Sequence, residues 1–358
     1  MTIIQMFPGK VWGGAEQYVL DLGKALTQKG HKIIYVTRNS AAVTSRLQGN
    51  VAFTSLPFKD FFDNHTLHEL GKLMHDADII HIHDIRFLKF AVRAKRHSQS
   101  NVKIVLTRHI ARSSRTLWWN RKMFSDVHKI IFVSELSKRL WLNANTWIDE
   151  SKCTSILNSI PHESSIGRCT SIRQKYRIPQ SDLLIMFTGR VRKSKGCEVI
   201  VKALSQLSQH KFHMVFVGTC KPGNYDEELK RFAKNGGILD RIHFYGFSSD
   251  VRSLILEADI GIAPSIVREA CPLSPMEFMQ AGKCVIATNN GAQKEYVQSG
   301  HTGLLVSPNN VEELVQALRF VFESDTSRIR LGLNAKAYFD EHLNYEKFIE
   351  CILSAYKT

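Results

Sequence analysis

The 358-residue sequence lacks a long apolar segment, a secretion signal and a cysteine framework. No uncharged apolar run approaches the roughly 18 residues that are needed to cross a bilayer. The first ten residues, MTIIQMFPGK, have no basic start followed by a long apolar stretch, so secretion is not indicated. We therefore expect a cytoplasmic protein.

The seven cysteines are scattered and are never spaced as C-x-x-C, the pattern of zinc and redox sites. We expect reduced thiols that pack mostly as small core residues. Among the fifteen histidines, HIHD at 81–84 is the densest cluster. Its alternation places His81 and His83 on one face of a strand, which suits either polar strand-end residues or metal ligands. No third and fourth ligand accompany them, so we predict no metal site.

Length and composition indicate a globular protein of two domains. At about 150 residues per domain, the chain has room for two, each large enough for its own core. Hydrophobic residues make up 44% of the chain and charged residues 23%, so long disordered tails are not expected.

The net charge of +15 lies mostly in the first half of the chain. Residues 1–165 contain 23 Lys and Arg against 13 Asp and Glu, a net charge of +10. Residues 166–358 contain 25 Lys and Arg against 20 Asp and Glu, a net charge of +5. Between Arg86 and Arg139 there are fourteen basic and two acidic residues, and RSSRTLWWNRK at 112–122 sets two tryptophans among cations. This mixture suits an anionic membrane surface, single-stranded nucleic acid, or a basic helix that is merely solvated.

Short β-branched runs alternate with amphipathic helical segments along the chain. Such alternation favours βα units with parallel sheets, and its two series predict two doubly wound α/β domains. We predict strands at 2–7, 31–38, 51–57, 78–83, 103–109 and 129–134, and at 183–189, 213–218, 241–247, 259–265, 283–289 and 303–308. The polar segment 158–182 is the predicted linker, and the chain from Ala335 onward is predicted to be helical.

Two loops after predicted strands are candidates for ligand contact, because ligands of parallel α/β sheets lie at the carboxyl ends of strands. PGKVWGGAE at 8–16 is neither a phosphate loop of the NTPase kind nor G-x-G-x-x-G, but Gly13 and Gly14 allow a close backbone approach. An ordinary tight turn is the alternative there. In GRVRKSKG, Arg190 and Lys195 stand in a glycine-bounded loop, which suits a diphosphate.

The stretch EACPLSPMEF sets Glu269 and Glu277 eight positions apart. Pro272 and Pro275 lack a backbone donor and disfavour helix in the preceding residue, so the carboxylates cannot share one unbroken helix and Glu269 is predicted in a loop. Ser274 is predicted to cap a helix that begins at Pro275, with Glu277 completing a capping box. A helix start also attracts anions, so this turn is a candidate ligand site.

Taken in order, these motifs make the chain resemble the retaining, nucleotide-sugar-dependent glycosyltransferases of glycosyltransferase family 4. The resemblance covers essentially the whole chain, and its strongest element is the family's E-x7-E pattern from Glu269 to Glu277. The matching segments are GGAE (13–16), HIHD (81–84), TRH (107–109), VSELSKR (133–139), ILNSIP (156–161), GRVRKSKG (189–196), REACPLSPMEFMQAGKCVIATNNGAQKEYV (268–297) and GLLVSP (303–308).

The family has the GT-B architecture, in which two Rossmann-like doubly wound domains face a central cleft. The resemblance implies an acceptor-binding domain at 1–165, a nucleotide-sugar-binding domain at 166–340, and a C-terminal helix at 341–358 that returns to the first domain.

The resemblance also implies residue roles. Glu269 would approach sugar hydroxyls and Glu277 the ribose, while Arg190 and Lys195 would neutralise the diphosphate leaving group in place of a metal. The implied catalytic residues are His109, Arg190, Lys195 and Glu269. The implied donor-binding residues are Gly13, Gly14, Arg190, Lys195, Glu269, Cys271, Pro272, Leu273, Ser274 and Glu277. The acceptor-side candidates are Glu16, His83, Asp84 and Arg112.

The implied reaction is retaining, metal-independent transfer of a hexose-type sugar from a nucleoside-diphosphate sugar to a glycan or lipid-linked acceptor, in cell-surface polysaccharide or glycolipid synthesis. UDP is the first expectation for the nucleotide and GDP the second, with no further cofactor and no nucleic-acid partner. The basic first half suggests a peripheral position on the inner face of a membrane. The alternatives are a GT-B sugar-nucleotide epimerase or phosphorylase, or a non-catalytic α/β protein that binds a polyanion.

Overall fold

The chain divides into two compact units in the computed structural model. Unit 1 comprises Met1–Pro161 and Tyr345–Thr358, and unit 2 comprises His162–Asn344. The structure describes residues 1–9, 13–40, 43–44, 47, 51–59, 63–113, 116, 118–161, 171–220, 223 and 225–357, with the backbone alone at 118–120.

Unit 1 is built on a parallel sheet of seven strands in the order β3-β2-β1-β4-β5-β6-β7. Its strands are β1 (Thr2–Phe7), β2 (Lys32–Arg38), β3 (Phe53–Leu56), β4 (Ile79–Ile82), β5 (Lys103–Arg108), β6 (Val127–Phe132) and β7 (Cys153–Ser155). Strand addition reverses direction between β1 and β4, which is the doubly wound arrangement.

Unit 2 repeats this plan with six parallel strands in the order β10-β9-β8-β11-β12-β13. Its strands are β8 (Leu183–Thr188), β9 (Phe212–Val217), β10 (Ile242–Gly246), β11 (Ile260–Ala263), β12 (Cys284–Thr288) and β13 (Leu304–Val306). The reversal here falls between β8 and β11.

Helices flank the strands and bury apolar side chains. They are α1 (Gly14–Gln28), α2 (Asn64–His75), α3 (Leu88–Ser98), α4 (Glu135–Ala144), α5 (Ile172–Tyr176), α6 (Cys197–Ser205), α7 (Tyr225–Asn235), α8 (Val251–Ile255), α9 (Leu273–Gln280), α10 (Val311–Glu323), α11 (Asp325–His342) and α12 (Tyr345–Lys357).

The prediction of two doubly wound α/β sheets is confirmed, since every predicted strand overlaps an observed one. β7 is not among the predicted strands. Its three residues are too few to show alternation, and the strand exists because it pairs with β6 at the edge of the sheet.

α12 follows unit 2 in sequence but packs in the core of unit 1. Phe348, Ile349 and Ile352 are buried in one cluster with Ile3 of β1 and Leu22 of α1. Removal of these apolar side chains from water holds the helix in place. The tail that was expected to be helical is interrupted, because α11 ends at His342 and α12 begins at Tyr345.

The predicted capping box at the start of α9 is wrong. The helix begins at Leu273, two residues before Pro275, with Pro272 at the N-cap position and no side-chain cap. Ser274 therefore lies inside the first turn, and Glu277 lies beyond it. Pro275 is tolerated because the first backbone N–H groups of a helix have no partner within the helix.

The predicted linker and the cysteines are described only in part. Residues 162–170 of the predicted linker and Cys169 lie outside the described residues, and the other six cysteines are free thiols, of which four are buried. No described helix combines the length and the apolar character that crossing a membrane requires.

Candidate active site

The carboxyl ends of β8 and β11 meet at the centre of the sheet in unit 2. Loops that leave such a reversal point diverge to opposite faces of the sheet and open a crevice between them. The loop after β8 carries Arg190 and Lys195, and the loop after β11 carries Glu269. The topology therefore brings together Lys195 and Glu269, which are 74 positions apart in sequence.

Backbone contacts hold these two loops against each other. The amide of Ile266 donates to the carbonyl of Ser194 at 3.0 Å. Gly196 has a φ of +75°, and a Cβ at this position would lie 2.0 Å from the carbonyl oxygen of Pro264. Only glycine combines this backbone angle with so close an approach.

Lys195 and Glu269 form the centre of the site. Nζ of Lys195 lies 2.6 Å from Oε1 of Glu269, and the hydroxyl of Ser265 donates to the same oxygen at 2.8 Å. The two charged side chains are 20% and 19% exposed, so water screens the pair only in part. Glu269 lies in a loop, as predicted, and its carbonyl accepts from the amide of Ala292 at 3.0 Å.

Side-chain hydrogen bonds fix the start of α9 beside this pair. The buried Tyr296 donates its hydroxyl hydrogen to the carbonyl of Pro272 at 2.9 Å. The hydroxyl of Ser274 lies 2.5 Å from that of Thr188 at the end of β8.

The other predicted donor-binding residues of unit 2 also lie at this helix. Cys271 is buried just before α9, Leu273 is its first residue, and the partly buried Glu277 lies in its second turn. Except for Arg190 and Lys195, the predicted donor-binding residues of unit 2 therefore lie within one loop and the first two turns of one helix.

The loop after β8 carries further cations in different surroundings. Arg190 is exposed and makes no hydrogen bond to a described residue, whereas Lys193 pairs with Glu228 at 2.9 Å. Arg192 is partly buried, and its Nε bonds no described group. Burial, followed by the charge of Arg190, lowers the pKa of Arg192. The loop after β8 is therefore rich in cations, one of which pairs with the carboxylate of Glu269.

In unit 1, the glycine-rich loop leads into α1. Gly13 is the N-cap residue with extended backbone, Gly14 is the exposed first helical residue, and Glu16 is partly buried in the first turn. A Cβ on Gly13 would lie 3.5 Å from Oε2 of Glu16, an ordinary contact, so neither backbone angle nor space demands glycine there. Residues 10–12 lie outside the described chain.

The ends of β4 and β5 bring two predicted site residues together. Nδ1 of His83 lies 3.2 Å from Nε2 of His109, and Nε2 of His83 lies 2.7 Å from Oε1 of Gln5 in β1. The ring of Tyr18 packs edge-on against both histidines, with centroids 5.8 and 5.0 Å away. His83 is buried and His109 is partly buried.

His81 uses both ring nitrogens within the core. Its Nδ1 lies 2.8 Å from the hydroxyl of Tyr356 in α12, and its Nε2 lies 2.6 Å from the hydroxyl of Thr107. His81 is thus a satisfied buried residue. No group of three or more His, Cys, Asp or Glu side chains in the described chain is arranged to hold a metal ion.

Burial keeps these imidazoles neutral. It lowers the pKa of His81 to about 3 and that of His109 to about 4, and it holds the pKa of His83 well below its usual value. The charge of Asp84 raises the pKa of His109 slightly, and that of Arg108 lowers it.

Asp84 and Arg112, the remaining acceptor-side candidates, are not hydrogen-bonded to this histidine pair within the described chain. Asp84 accepts from the amide of Arg86 at 2.8 Å and pairs with its guanidinium at 2.6 Å. Arg112 is exposed on irregular chain.

The basic stretch at 112–122 is described only in part. Arg121 and Lys122 are exposed, and the Arg121 guanidinium lies 5.2 Å from the ring centroid of Trp147. Residues 114, 115 and 117 and the side chains of both tryptophans at 118 and 119 lie outside the described part.

Two family models match this chain in succession. The model of Glycosyltransferase Family 4 matches residues 12–164, and the model of Glycosyl transferases group 1 matches residues 170–338. The chain belongs to glycosyltransferase family 4. Each model covers one of the two Rossmann-like units, which is the organisation of a GT-B glycosyltransferase.

The curated relatives of this family-4 chain differ in the share of their own length that this chain matches. An uncharacterised glycosyltransferase of Methanocaldococcus jannaschii is 28% identical over 64% of this chain and 58% of its own length. The N-acetyl-alpha-D-glucosaminyl L-malate synthase of Bacillus anthracis is 24% identical over 97% of this chain and 93% of its own length.

Solved structures share the fold over the whole chain. A glycosyltransferase from Rickettsia africae has a TM-score of 0.86 at 24% identity and covers 99% of this chain and 97% of its own. HepE of Anabaena, solved in complex with UDP, has a TM-score of 0.84 at 20% identity and covers 99% of both chains. At these identities the likeness shows the GT-B fold alone.

Several residues that build the site of this family-4 protein escape the sequence analysis. Ser265 and Thr188 stand at carboxyl ends of strands, a position that could have drawn attention to them. Gln5 is a polar residue inside an apolar strand, which is also a usable signal. Tyr296 and Arg192 carry no local signal, because their roles depend on partners distant in sequence or on burial.

Proposed function

We propose that this protein is a retaining, metal-independent hexosyltransferase that uses a nucleoside-diphosphate sugar. One observation carries the proposal: Lys195 and Glu269, from two loops, meet at 2.6 Å just before the start of α9, which has no side-chain cap. A nucleotide sugar joins a diphosphate to a sugar rich in hydroxyls. Its recognition requires cations and a carboxylate side by side, with backbone N–H groups nearby.

Glu269 has one carboxylate oxygen available for a sugar hydroxyl. Both of its side-chain contacts, from Lys195 and Ser265, go to Oε1, and no described residue bonds Oε2. An ionised carboxylate is an acceptor only, so Oε2 is suited to accept from a hydroxyl of the donor sugar.

The basic loop supplies the charge that a diphosphate leaving group needs. Arg190 is exposed and bonds no described residue, so its guanidinium can form two parallel hydrogen bonds to a phosphate. Lys195 is held in position by Glu269 and can share its remaining N–H groups with the second phosphate. Cations placed in advance stabilise developing charge without a metal ion.

In the proposed reaction, the bond between the anomeric carbon and the diphosphate oxygen breaks, and its electron pair leaves with the diphosphate. The acceptor hydroxyl adds to the same face of an oxocarbenium-like centre and gives its proton to a donor phosphate oxygen. The configuration is therefore retained. His109 is assigned to the reacting sugar.

We assign Glu277 to binding of the ribose hydroxyls. UDP is the first candidate for the nucleotide and GDP the second. Glu277 lies partly buried in the second turn of α9, close in sequence to the residues assigned to sugar and phosphate. The structural likeness to HepE, which was solved with UDP and with UDP-glucose, supports this order.

For the acceptor, we propose a glycan or lipid-linked molecule at the cytoplasmic face of a membrane. The exposed Arg121 and Lys122 belong to the half of the chain with the larger positive balance. Sedimentation with vesicles is expected to show binding to anionic but not to neutral lipid, falling as salt is added. Equal binding to both lipids would remove the membrane part of the proposal.

The donor site is tested by thermal shift with UDP, GDP, ADP, CMP and NAD, first without metal and then with magnesium. We expect one nucleoside diphosphate to raise the melting temperature without metal, because binding to the folded state alone stabilises it. The variants Lys195→Ala and Glu277→Ala are expected to reduce this shift.

Lys193→Ala is the matched control for Lys195→Ala. Both lysines lie in the same short turn, but Lys193 is exposed and pairs with Glu228 instead of Glu269. Its substitution is expected to leave the nucleotide shift intact. Equal effects of the two substitutions would point to general charge attraction and favour the polyanion alternative.

Glu269→Gln separates recognition of the sugar from recognition of the diphosphate. Removal of the negative charge releases Lys195, so we expect the affinity for the free nucleotide to stay equal or rise about threefold, the scale of a partly exposed ion pair. The extra affinity contributed by the sugar is expected to disappear. Product analysis with and without acceptor then distinguishes transfer from epimerisation or phosphorolysis.

A further inference from the structure

Two hydrogen-bonded branches meet at Gln5 in the centre of the sheet in unit 1. One branch runs from Gln5 through His83 to His109: Oε1 of Gln5 lies 2.7 Å from Nε2 of His83, and Nδ1 of His83 lies 3.2 Å from Nε2 of His109. Each bond in such a chain needs one donor and one acceptor. The position of the proton on every neutral ring therefore follows from its neighbour.

Gln5 sets the direction of the branch toward His109. Its Oε1 can only accept, so His83 carries its proton on Nε2 and presents a lone pair at Nδ1. That lone pair accepts from Nε2–H of His109. Nδ1 of His109 is then the unprotonated nitrogen, and no described residue bonds it.

The second branch is consistent with this direction. The amide of Gln5 donates to the hydroxyl of Tyr356 at 3.4 Å, and that hydroxyl donates to Nδ1 of His81 at 2.8 Å. Nε2–H of His81 then donates to Thr107 at 2.6 Å. A half-turn of the Gln5 amide would reverse every bond in both branches and place the proton of His109 on Nδ1.

We propose that Gln5 and His83 are positioning residues that present Nδ1 of His109 as a hydrogen-bond acceptor for a substrate hydroxyl. The ring is also confined by Tyr18, and the charged groups that act on it are Asp84 and Arg108. The link to a substrate rests on the proposed function, in which His109 lies by the reacting sugar. The tautomer itself does not depend on that function.

The tautomer is measured by long-range proton–nitrogen NMR on the full chain labelled with ¹⁵N-histidine, without nucleotide, at pH 7.5. The signals of His109 are assigned by their loss in His109→Gln. In the wild type we expect a protonated Nε2 and an unprotonated Nδ1. In Gln5→Met, which keeps the length of the side chain but removes both polar groups, we expect signals averaged over both tautomers.

Thr107→Val is the matched control. It removes the last bond of the branch that leads away from His109, in the same sheet and at similar burial. Both variants are expected to lower the melting temperature, but only Gln5→Met is expected to change the His109 signals. A proton on Nδ1 in the wild type, or an unchanged His109 spectrum in Gln5→Met, would overturn the proposal.

The kinetic measurement tests the positioning role. Gln5→Met is expected to lower kcat about tenfold with the KM for the nucleotide sugar changed less than about twofold, because a misaligned acceptor weakens the reacting state more than binding. Thr107→Val is expected to keep the wild-type kcat. An unchanged kcat in Gln5→Met would refute the positioning role. A wild-type protein without transfer activity would refute the proposed function, while the NMR result would still decide the tautomer.

Discussion

Burial shifts the pKa of single histidines in unit 1 below the value in water. An imidazolium at the position of His81 would lose its hydration and gain no compensating anion, so the neutral form is favoured. In unit 2, by contrast, Lys195 and Glu269 lie 2.6 Å apart, so each supplies the counter-charge of the other. Local partners therefore decide which polar groups form a fixed internal network and which can serve a charged ligand.

We expect unit 1 to lose stability as the pH falls from 7 to 5. The unfolded chain takes up a proton on His81 near pH 6.5, whereas burial lowers the pKa of His81 in the folded chain to about 3. Between these values the unfolded state binds more protons, so acid favours unfolding. The loss due to His81 is about 2 kcal/mol from pH 7 to pH 5.

Urea unfolding followed by tryptophan fluorescence measures this loss, because all five tryptophans lie in unit 1. His81→Phe keeps a ring at the site but removes the titrating group. Its unfolding midpoint is expected to fall less steeply with pH than that of the wild type. Identical pH slopes would contradict the neutral burial of His81.

At the scale of elements, close approach between loops determines the geometry of the candidate active site. The turn that follows β8 ends at Gly196, and this residue touches the carbonyl of Pro264 after β11. Lys195 directly precedes Gly196 in the loop after β8, and Glu269 follows Pro264 in the loop after β11. The ion pair thus depends on two loops whose separation is set by a residue without a side chain.

Gly196→Ala is expected to lower the melting temperature of unit 2 by about 9 °C. Strain at a left-handed angle together with a backbone collision costs about 3 kcal/mol, and each kcal/mol lowers the melting temperature of a unit of this size by about 3 °C. Circular dichroism measures the change. The nucleotide-induced shift is also expected to weaken, because the two loops must move apart.

Gly237→Ala provides the comparison. Gly237 also has a left-handed angle, φ +69°, but nothing lies within 4 Å of its added Cβ. The substitution therefore pays the conformational cost alone, about 1 kcal/mol, or about 3 °C. Equal losses for the two variants would mean that the contact with Pro264 has no energetic weight.

At the scale of the whole molecule, the last helix completes the core of the unit that begins the chain. Ile352 of α12 is fully buried in the cluster that contains Ile3 and Leu22. Tyr356 extends this contact into the polar network through its bond to His81. Unit 1 therefore cannot complete its core until the last helix of the chain is present.

Ile352→Ala is expected to destabilise unit 1 by about 3 kcal/mol, the usual cost of a cavity left by a large buried aliphatic side chain. Its neighbour Cys351 is exposed, so Cys351→Ala is expected to change stability by less than about 0.5 kcal/mol. Urea unfolding followed by tryptophan fluorescence measures the change in the free energy of unfolding for both variants. Similar values for the two variants would show that α12 is not part of the cooperative core.

The strands of both sheets could be predicted because buried parallel strands are short apolar runs that need no distant information to be recognised. β7 could not, since Cys153, Thr154 and Ser155 form a strand only by pairing with β6. The start of α9 cannot be predicted locally, because Ser274, which suits an N-cap by its local sequence, instead forms a hydrogen bond with Thr188, 86 positions away. Local patterns identify elements, but their ends depend on neighbours.

The sequence by itself determined the α/β class, the two series of βα units and, through the order of its motifs, the resemblance to family 4. The α/β class and the two series of βα units follow from composition and periodicity, which are local, whereas the resemblance rests on the motifs themselves. Only the tertiary structure decided that Lys195 meets Glu269, and that Gln5 lies within hydrogen-bonding distance of His83 and His83 within hydrogen-bonding distance of His109. These contacts join residues far apart in sequence, and their geometry arises from sheet order and packing, which no local pattern contains.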